Sequence, residues 1–449
     1  MAVALERSAA QRLARFAAGL SLADVPADVI DAAKLHLLDA LACALAADAL
    51  GEQRAPVELV VAAGGAEEAT LVGRAERVPA QAAALANGAL AHALDFDDTH
   101  AESVAHISAV VGPVALACAE ACGRDGETML AAFVAGAETT IRLGAAASGE
   151  FHKRGLHPTS VCGVFGATAT AASLIGLDAE ATADALGLAG SRAAGVLASL
   201  AEGVPVKPLH AGWAARDGVE CARLAALGAR GPRGVLEGHL GLFEALLGDG
   251  HTEALDAQLS DLGARWETPR IGFKPMPVCH FMHGVLEGAA SLDVGAPSGI
   301  EEIEVAIDGA GVGLVLEPAA EKGRPVGSYD ARFDLPWCVG AVLADGALTL
   351  AALRSPSDHA VALELASKVT YSVLADGDRS QFGGSIAVAL RDGRRMEAVV
   401  SHPLGTTGAP MGADEVRAKA RANAGGRAKA LIAAVDSLDL HALRGAIVG

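Results

Sequence analysis

The stretch from Ala93 to His106, ALDFDDTHAESVAH, gathers three aspartates, a glutamate and two histidines at the end of an apolar segment. Carboxylates are unfavourable beside the negative end of a helix dipole, so this is not an ordinary solvated helix end. A magnesium site of the aspartate-rich type needs a third carboxylate one helical turn after Asp97, where the chain has Ala101. The residues therefore favour a hydrogen-bonding and proton-transfer cluster that includes His106.

A second histidine lies at a predicted helix start. His157 precedes Pro158, and a helix rich in glycine and alanine follows. Proline restricts the residue before it to extended geometry, and Thr159 or Ser160 can cap the helix. The arrangement directs the His157 imidazole and free backbone N–H groups to the same space, where an anion is stabilised.

Two lysines, Lys207 and Lys274, lie in apolar segments beside prolines. Cys279 and His283, which follow the second lysine, provide only two metal ligands, so we predict no metal site there. Lysine ammonium groups bind carboxylates, and histidines remove and return protons near neutral pH. The chemistry that needs both is proton abstraction next to a carboxylate, followed by loss of a leaving group or by reprotonation.

Helices are predicted to position most of these groups. Residues 1–270 repeat apolar side chains at three- and four-residue spacing, punctuated by glycine and proline. The same pattern returns over residues 405–449. We therefore predict a mostly α protein, in which the C-terminal segment rejoins a large helical domain.

Residues 271–404 have a different pattern and are predicted to form an inserted α+β domain. Apolar and polar side chains alternate over residues 303–307, the period of a half-buried strand. Residues 385–401 indicate a hairpin, with Asp392 and Gly393 supplying the positive backbone angles of a tight turn.

Composition excludes several kinds of partner. A formal net charge of −19 argues against nucleic acid and anionic membranes, which select basic surfaces. No eighteen-residue apolar run is present, and Glu6 and Arg7 interrupt the N-terminal apolar pattern, so we predict an amphipathic first helix rather than a signal peptide. Seven irregularly spaced cysteines are expected to be reduced thiols in a cytoplasmic protein.

Five blocks of sequence, in order along nearly the whole chain, resemble the successive motifs of the MmgE/PrpD family. They are NGALAHALDFDDTH, GLHPTSVCGVFGATATAA, KPLHAGWAARDGV, KPMPVCHFMH and ARFDLPWCVGAVLADG. The family contains 2-methylcitrate dehydratases, cis-aconitate decarboxylases and an iminodisuccinate epimerase. The resemblance implies an all-helical domain with a smaller α+β lid, a homodimer, no cofactor and a small anionic carboxylate as substrate.

The resemblance also implies roles for individual residues. It assigns catalytic or pocket-lining positions to Asp95 and Thr99, proton transfer to His106 and His157, and carboxylate binding to Lys207 and Lys274.

Two substrate-contacting positions differ from the family's decarboxylases. Those enzymes carry a histidine where this chain has Cys279, and a tyrosine where it has Trp337. The leading hypothesis is therefore a cofactor-independent lyase, most simply one that dehydrates a 2-methylcitrate-like hydroxy acid. Either His106 or His157 takes the α-proton, and the other helps the hydroxyl to leave. The alternatives are an iminodisuccinate-type epimerase, a cis-aconitate-type decarboxylase and an inactive ligand-binding homologue.

Overall fold

The computed structural model describes residues 8–374 and 382–448, and it is mostly α-helical, as the sequence predicts. Residues 1–7, which include Glu6 and Arg7, lie outside the described residues. The buried apolar side chains form two separate hydrophobic cores.

The first core lies among helices from the N-terminal part of the chain. These helices are α1 (Ala9–Gly19), α2 (Ala27–Ala49), α3 (Arg54–Ala63), α4 (Ala80–His92), α5 (Ser108–Cys122), α6 (Gly126–Ala147), α7 (Glu150–Lys153), α8 (Pro158–Val161), α9 (Gly163–Ile175), α10 (Ala179–Ala189), α11 (Lys207–Ala226), α12 (Leu242–Leu247) and α13 (Thr252–Leu259). Short strands connect them: β1 (Ala69–Thr70), β2 (Arg77–Val78), β3 (Thr99–His100) and, at the end of this part, β4 (Ile271–Gly272).

Small residues allow α4 and α11 to pack closely. A Cβ atom added to Gly212 of α11 would lie 2.3 Å from the Leu85 carbonyl oxygen of α4, and one added to Gly88 would lie 3.0 Å from the Gly212 Cα. Glycine is therefore required at position 212, and position 88 leaves little room for a side chain. This contact matters for the site because α4 ends at His92, just before the aspartates, and α11 begins at Lys207.

The second core belongs to a smaller α+β unit, called the lid below. Its elements are α14 (His283–Ser291), β5 (Ile300–Ile307), α15 (Gly309–Val315), α16 (Ser328–Ala331), α17 (Leu335–Asp345), α18 (Ala360–Ala366), β6 (Val369–Val373), β7 (Gly384–Leu390) and β8 (Arg395–Val400). The strand order is β6-β5-β7-β8, with β5 and β6 parallel and the other pairs antiparallel. The predicted strand and hairpin are both present.

The hairpin turn differs from the prediction in one detail. Gly393 has a positive φ of 86°, whereas Asp392 is absent from the positive-φ residues of the described chain. The Gly393 N–H donates to the Leu390 carbonyl, so a single left-handed residue closes the turn.

The C-terminal helices α19 (Ala413–Ala424), α20 (Ala428–Ser437) and α21 (Leu440–Ile447) pack into the first core, not into the lid. Helix α19 lies against α2, and its Lys419 ammonium bonds Asp39 at 2.8 Å and the Phe96 carbonyl at 2.6 Å. The lid is thus an insertion between two parts of one helical unit.

The chain enters the lid directly beside the aspartate stretch. Strand β4 pairs antiparallel with β3, with Thr99 opposite Gly272, so Lys274 follows two residues after this pair. From the lid, Arg332 donates to the Ala93 carbonyl at 3.2 Å and to Glu52 at 3.1 Å. These contacts hold the two units together around residues 93–99.

Two helical stretches, Gly126–Ala147 and Pro158–Ile175, have the length and composition of a membrane span. In the fold, the most apolar 18 residues of the first stretch are 100% buried inside the protein, and those of the second are 89% buried. Both stretches are therefore core helices. All seven cysteines are free thiols, of which only Cys122 is exposed.

Candidate active site

The three aspartates that follow α4 face different partners. The Asp98 carboxylate accepts hydrogen bonds from the backbone N–H groups of Ile107 and Ser108 and from the Ser108 hydroxyl, and it pairs with His36 Nδ1 at 2.9 Å. Asp97 lies 2.8 Å from His92 Nδ1. These two carboxylates therefore fix the loop and the histidines, and Asp95 remains for the cavity.

Asp95 joins two lysines from different parts of the chain. Its carboxylate lies 2.5 Å from Lys207 Nζ and 2.8 Å from Lys274 Nζ, which also donates to the Asp95 carbonyl at 2.9 Å. Burial alone would raise the pKa of the Asp95 carboxyl, but the two ammonium groups outweigh it and hold this pKa well below its usual value. The lysine side chains are only 8% and 1% exposed.

His106 is held as a neutral base. Its Nδ1 lies 2.9 Å from the Asp98 carbonyl, which only accepts, so Nδ1 carries the proton and Nε2 is left with a lone pair. Nε2 faces the Lys207 ammonium at 3.4 Å. Burial first, and Lys207 second, lower the pKa of His106 to about 3.

His157 stands at the Pro158-fixed start of α8, as predicted, with an extended backbone. Its Nδ1 lies 3.3 Å from His210 Nδ1, whereas Nε2 is buried without a hydrogen-bond partner among the described residues. Burial lowers the pKa of His157 well below its usual value, with a further contribution from Lys207. Neither Thr159 nor Ser160 caps α8, because both lie inside the helix and its N-cap residue is His157. The Thr159 hydroxyl instead accepts from the His106 N–H at 3.0 Å.

These groups line one cavity between the helical unit and the lid. Of the residues that the sequence points to, the structure brings together Asp95, Thr99, His106, His157, Lys207, Lys274 and Cys279. Within the described part of the chain, the charged groups that line it are one carboxylate and two ammonium groups. The cavity wall therefore carries an excess of positive charge inside a strongly acidic protein.

Trp337 is not part of this cavity, contrary to its expected substrate contact. Its indole is 0% exposed within the lid core, and Nε1 donates to the Pro356 carbonyl at 3.1 Å. Helix α17 begins two residues earlier, and Asp334 caps it by accepting from the Trp337 N–H. This register turns the indole toward the lid interior, away from Asp95.

The sequence reasoning missed three polar groups at or near the cavity. His152 and His280 line it, and the Tyr329 hydroxyl is buried without a hydrogen-bond partner among the described residues. Burial raises the pKa of Tyr329 well above its usual value, and the charge of Asp95 adds to this effect. His280 stands inside the KPMPVCHFMH block, next to Cys279, but the sequence pattern assigns it no role.

Three imidazoles have the spacing of a metal site. His92, His106 and His157 each offer a ring nitrogen within 4.8 Å of the others. However, the Lys207 ammonium lies 3.4 Å from His106 Nε2 and would repel a cation bound there. The donor set therefore fits a divalent metal poorly.

The chain matches the family model of the MmgE/PrpD N-terminal domain over residues 11–254 and that of the C-terminal domain over residues 276–440. It belongs to the MmgE/PrpD family. A cis-aconitate decarboxylase from Aspergillus terreus is 27% identical over 440 residues, covering 92% of this chain and 88% of that protein. The cis-aconitate decarboxylase of Homo sapiens is 31% identical over 365 residues, covering 78% of this chain and 73% of that protein. The chain is thus an enzyme of the lyase type.

Proposed function

We propose that this lyase removes one carboxyl group, as CO2, from a small unsaturated tricarboxylate of the cis-aconitate type. The observation that carries the proposal is the meeting of two buried ammonium groups at Asp95, in a cavity that also holds neutral imidazoles. The similarity to proteins named cis-aconitate decarboxylases supports decarboxylation over the dehydration that the sequence alone favours.

The lysines keep donors for a substrate carboxylate. An ammonium group has three N–H donors. Lys274 uses two of them on Asp95, and Lys207 directs one to Asp95 and one toward His106. At least one donor therefore remains on each lysine, and a charge-assisted hydrogen bond to a carboxylate would use it.

The same charges assist the bond-breaking step. When the carbon–carbon bond to the departing carboxylate breaks, its electron pair enters the conjugated system of the remaining diacid. Ammonium groups in a site of low dielectric constant stabilise the negative charge that develops there. A protonated imidazole then delivers a proton to carbon, so the substrate anion and one proton give CO2 and a dicarboxylate.

Dehydration of a 2-methylcitrate-like hydroxy acid remains the second candidate. It is favoured by His157, a buried imidazole whose lowered pKa keeps it in the neutral form that removal of an α-proton needs. Its Nε2 has no hydrogen-bond partner among the described residues. An epimerase would use the same carbanion and return the proton to the opposite face.

Product analysis by NMR in deuterated water separates these reactions. The purified protein is incubated with cis-aconitate, 2-methylcitrate, citrate and iminodisuccinate, with Lys207→Ala as the matched control. Decarboxylation releases CO2 and places solvent deuterium in the product, dehydration forms an alkene, and epimerisation exchanges the α-hydrogen without forming an alkene. If the protein binds one of these acids but converts none of the four, the proposal is contradicted and the inactive ligand-binding homologue is favoured.

A further inference from the structure

His280 is a buried imidazole with no hydrogen bond among the described residues. It is 4% exposed, and both of its ring nitrogens lack a partner. Leaving a buried polar group unpaired destabilises the fold. At the wall of a cavity, a ligand can supply the missing partner.

Packing, not hydrogen bonding, fixes the ring. His280 stacks on Phe382 with 3.9 Å between ring centroids and an angle of 5° between the planes. The preceding residue, Cys279, anchors the backbone because its N–H donates to the Arg332 carbonyl at 2.9 Å. The imidazole is therefore oriented while neither nitrogen has a hydrogen-bond partner among the described residues.

The ring borders the cavity from the lid side. It lines the same space as Lys274 and His106, and the charge of Lys274 acts on it. His106, His152 and His157 belong to the helical unit, so among the described residues that line the cavity His280 is the histidine from the lid.

We propose that His280 contacts the bound carboxylate substrate and delivers the proton to its carbanion from the lid side. The assignment rests on the proposed function. The N–H bond of the protonated ring breaks as the new C–H bond forms, and the neutral ring then takes a proton from water. Burial holds the pKa of His280 well below its usual value in the free protein, and the negative charge of a bound polycarboxylate raises it.

The test compares His280 with His283, a buried neighbour that does not line the cavity and whose Nε2 lies 3.3 Å from the Val278 carbonyl. His280→Phe keeps the stack on Phe382 and removes both nitrogens, and His280→Gln and His283→Gln form a matched pair. For both His280 variants we expect kcat on cis-aconitate to fall by roughly a hundred- to ten-thousand-fold. Affinity for the unreactive propane-1,2,3-tricarboxylate should stay within a few-fold, and His283→Gln should keep near wild-type turnover.

A second measurement does not depend on turnover. The ring nitrogen signals of His280, identified by their absence in His280→Phe, should shift when propane-1,2,3-tricarboxylate is added. An unchanged signal, or a His280→Gln variant as active as His283→Gln, overturns the assignment. If the wild type converts none of the four acids, the proposed function fails, and the ring signal alone then decides whether His280 faces the ligand.

Discussion

The two walls of the cavity hold their imidazoles in different ways. On the helical side, His106 bonds the Asp98 carbonyl and lies beside Thr99, and His157 lies beside His210. On the lid side, His280 makes no hydrogen bond within the described residues, and its ring packs on Phe382 and beside His283.

His106 and His157 are therefore positioned by protein hydrogen bonds before substrate binds, whereas the hydrogen bonds of His280 are left for the substrate to form. A catalytic group held by supporting hydrogen bonds loses little freedom when the reaction begins. On the helical wall, His106 and His157 are each held through Nδ1, whereas neither ring nitrogen of His280 has a partner among the described residues. The cavity is therefore asymmetric before any ligand binds.

On the helical wall, the largest effect should come from its histidines, and it should match that of the His280 variants. Replacing His157 with Gln should lower turnover by roughly a hundred- to ten-thousand-fold, with binding nearly intact, because a neutral imidazole that exchanges protons in the cavity is lost. His106→Gln should behave in the same way. The His92 ring bonds Asp97 and does not line the cavity. His92→Gln should therefore act mainly on the stability of the fold. Steady-state kinetics and calorimetry on each variant test this, and loss of binding in His157→Gln would contradict the assignment.

The next prediction concerns the buried ion pair between Lys419 and Asp39, which lies behind the helical wall. Lys419→Met should lower the free energy of unfolding by about 3–5 kcal/mol, because it leaves the buried Asp39 carboxylate unpaired. Burial already raises the pKa of Asp39 to about 6, against the effect of Lys419. Urea denaturation measures the loss. The double variant Lys419→Met, Asp39→Leu should recover most of it, and a double variant no more stable than the single one would refute this account.

The two walls each contribute one lysine, and these should have similar effects. Lys207→Ala and Lys274→Ala should each weaken binding of propane-1,2,3-tricarboxylate by about ten- to hundred-fold, the loss of one charge-assisted hydrogen bond. Some loss of turnover should follow, because a displaced substrate reacts more slowly. Titration calorimetry checks this, and unchanged affinity in both variants would remove the lysines from the binding site.

Acid should weaken the fold through the buried histidines. Burial lowers the pKa of His106 to about 3 and that of His283 to about 3, whereas an unfolded histidine titrates near 6.5. The unfolded state therefore binds more protons below about pH 6.5, and stability that is full above this pH is lost as the pH falls. Between about pH 7.5 and about pH 5.5 the loss is roughly 1 kcal/mol for each such histidine. Denaturation across this range should show a shallower slope for His283→Asn.

The smallest expected effect is that of a chelator. The Lys207 ammonium beside His106 opposes a cation at the three imidazoles, so EDTA should leave activity unchanged. Activity lost in EDTA and restored by a single metal would show that the imidazoles bind a cation despite this charge.

Much of this architecture follows from local sequence patterns. Three- and four-residue apolar spacing predicts the helices, and alternation predicts β5. The return of the chain after residue 404 follows from the renewed helical pattern, because an apolar helix face needs a core to cover it. The His157-Pro158 pair predicts a helix start because proline restricts the residue before it.

The orientation of side chains in the lid does not follow from such patterns. Trp337 turns into the lid core because α17 starts at Leu335, and a shift of one residue rotates a side chain by about 100°. His280 enters the cavity because Cys279 is extended and a tight 3₁₀ turn follows it. Both outcomes depend on tertiary contacts that no local period encodes.

The bond from Lys419 to Phe96 spans 323 residues of sequence, and that to Asp39 spans 380. During synthesis, the helical unit cannot close around its aspartate stretch until α19 has left the ribosome. The complete lid is translated before that moment, so its own core can form while the first core still lacks the C-terminal helices. Contacts of such sequence separation also slow folding, because a long loop must close before they form. The helical core around Asp39 and the Phe96 carbonyl is therefore completed late, and the face of α2 that α19 covers stays open until α19 has emerged.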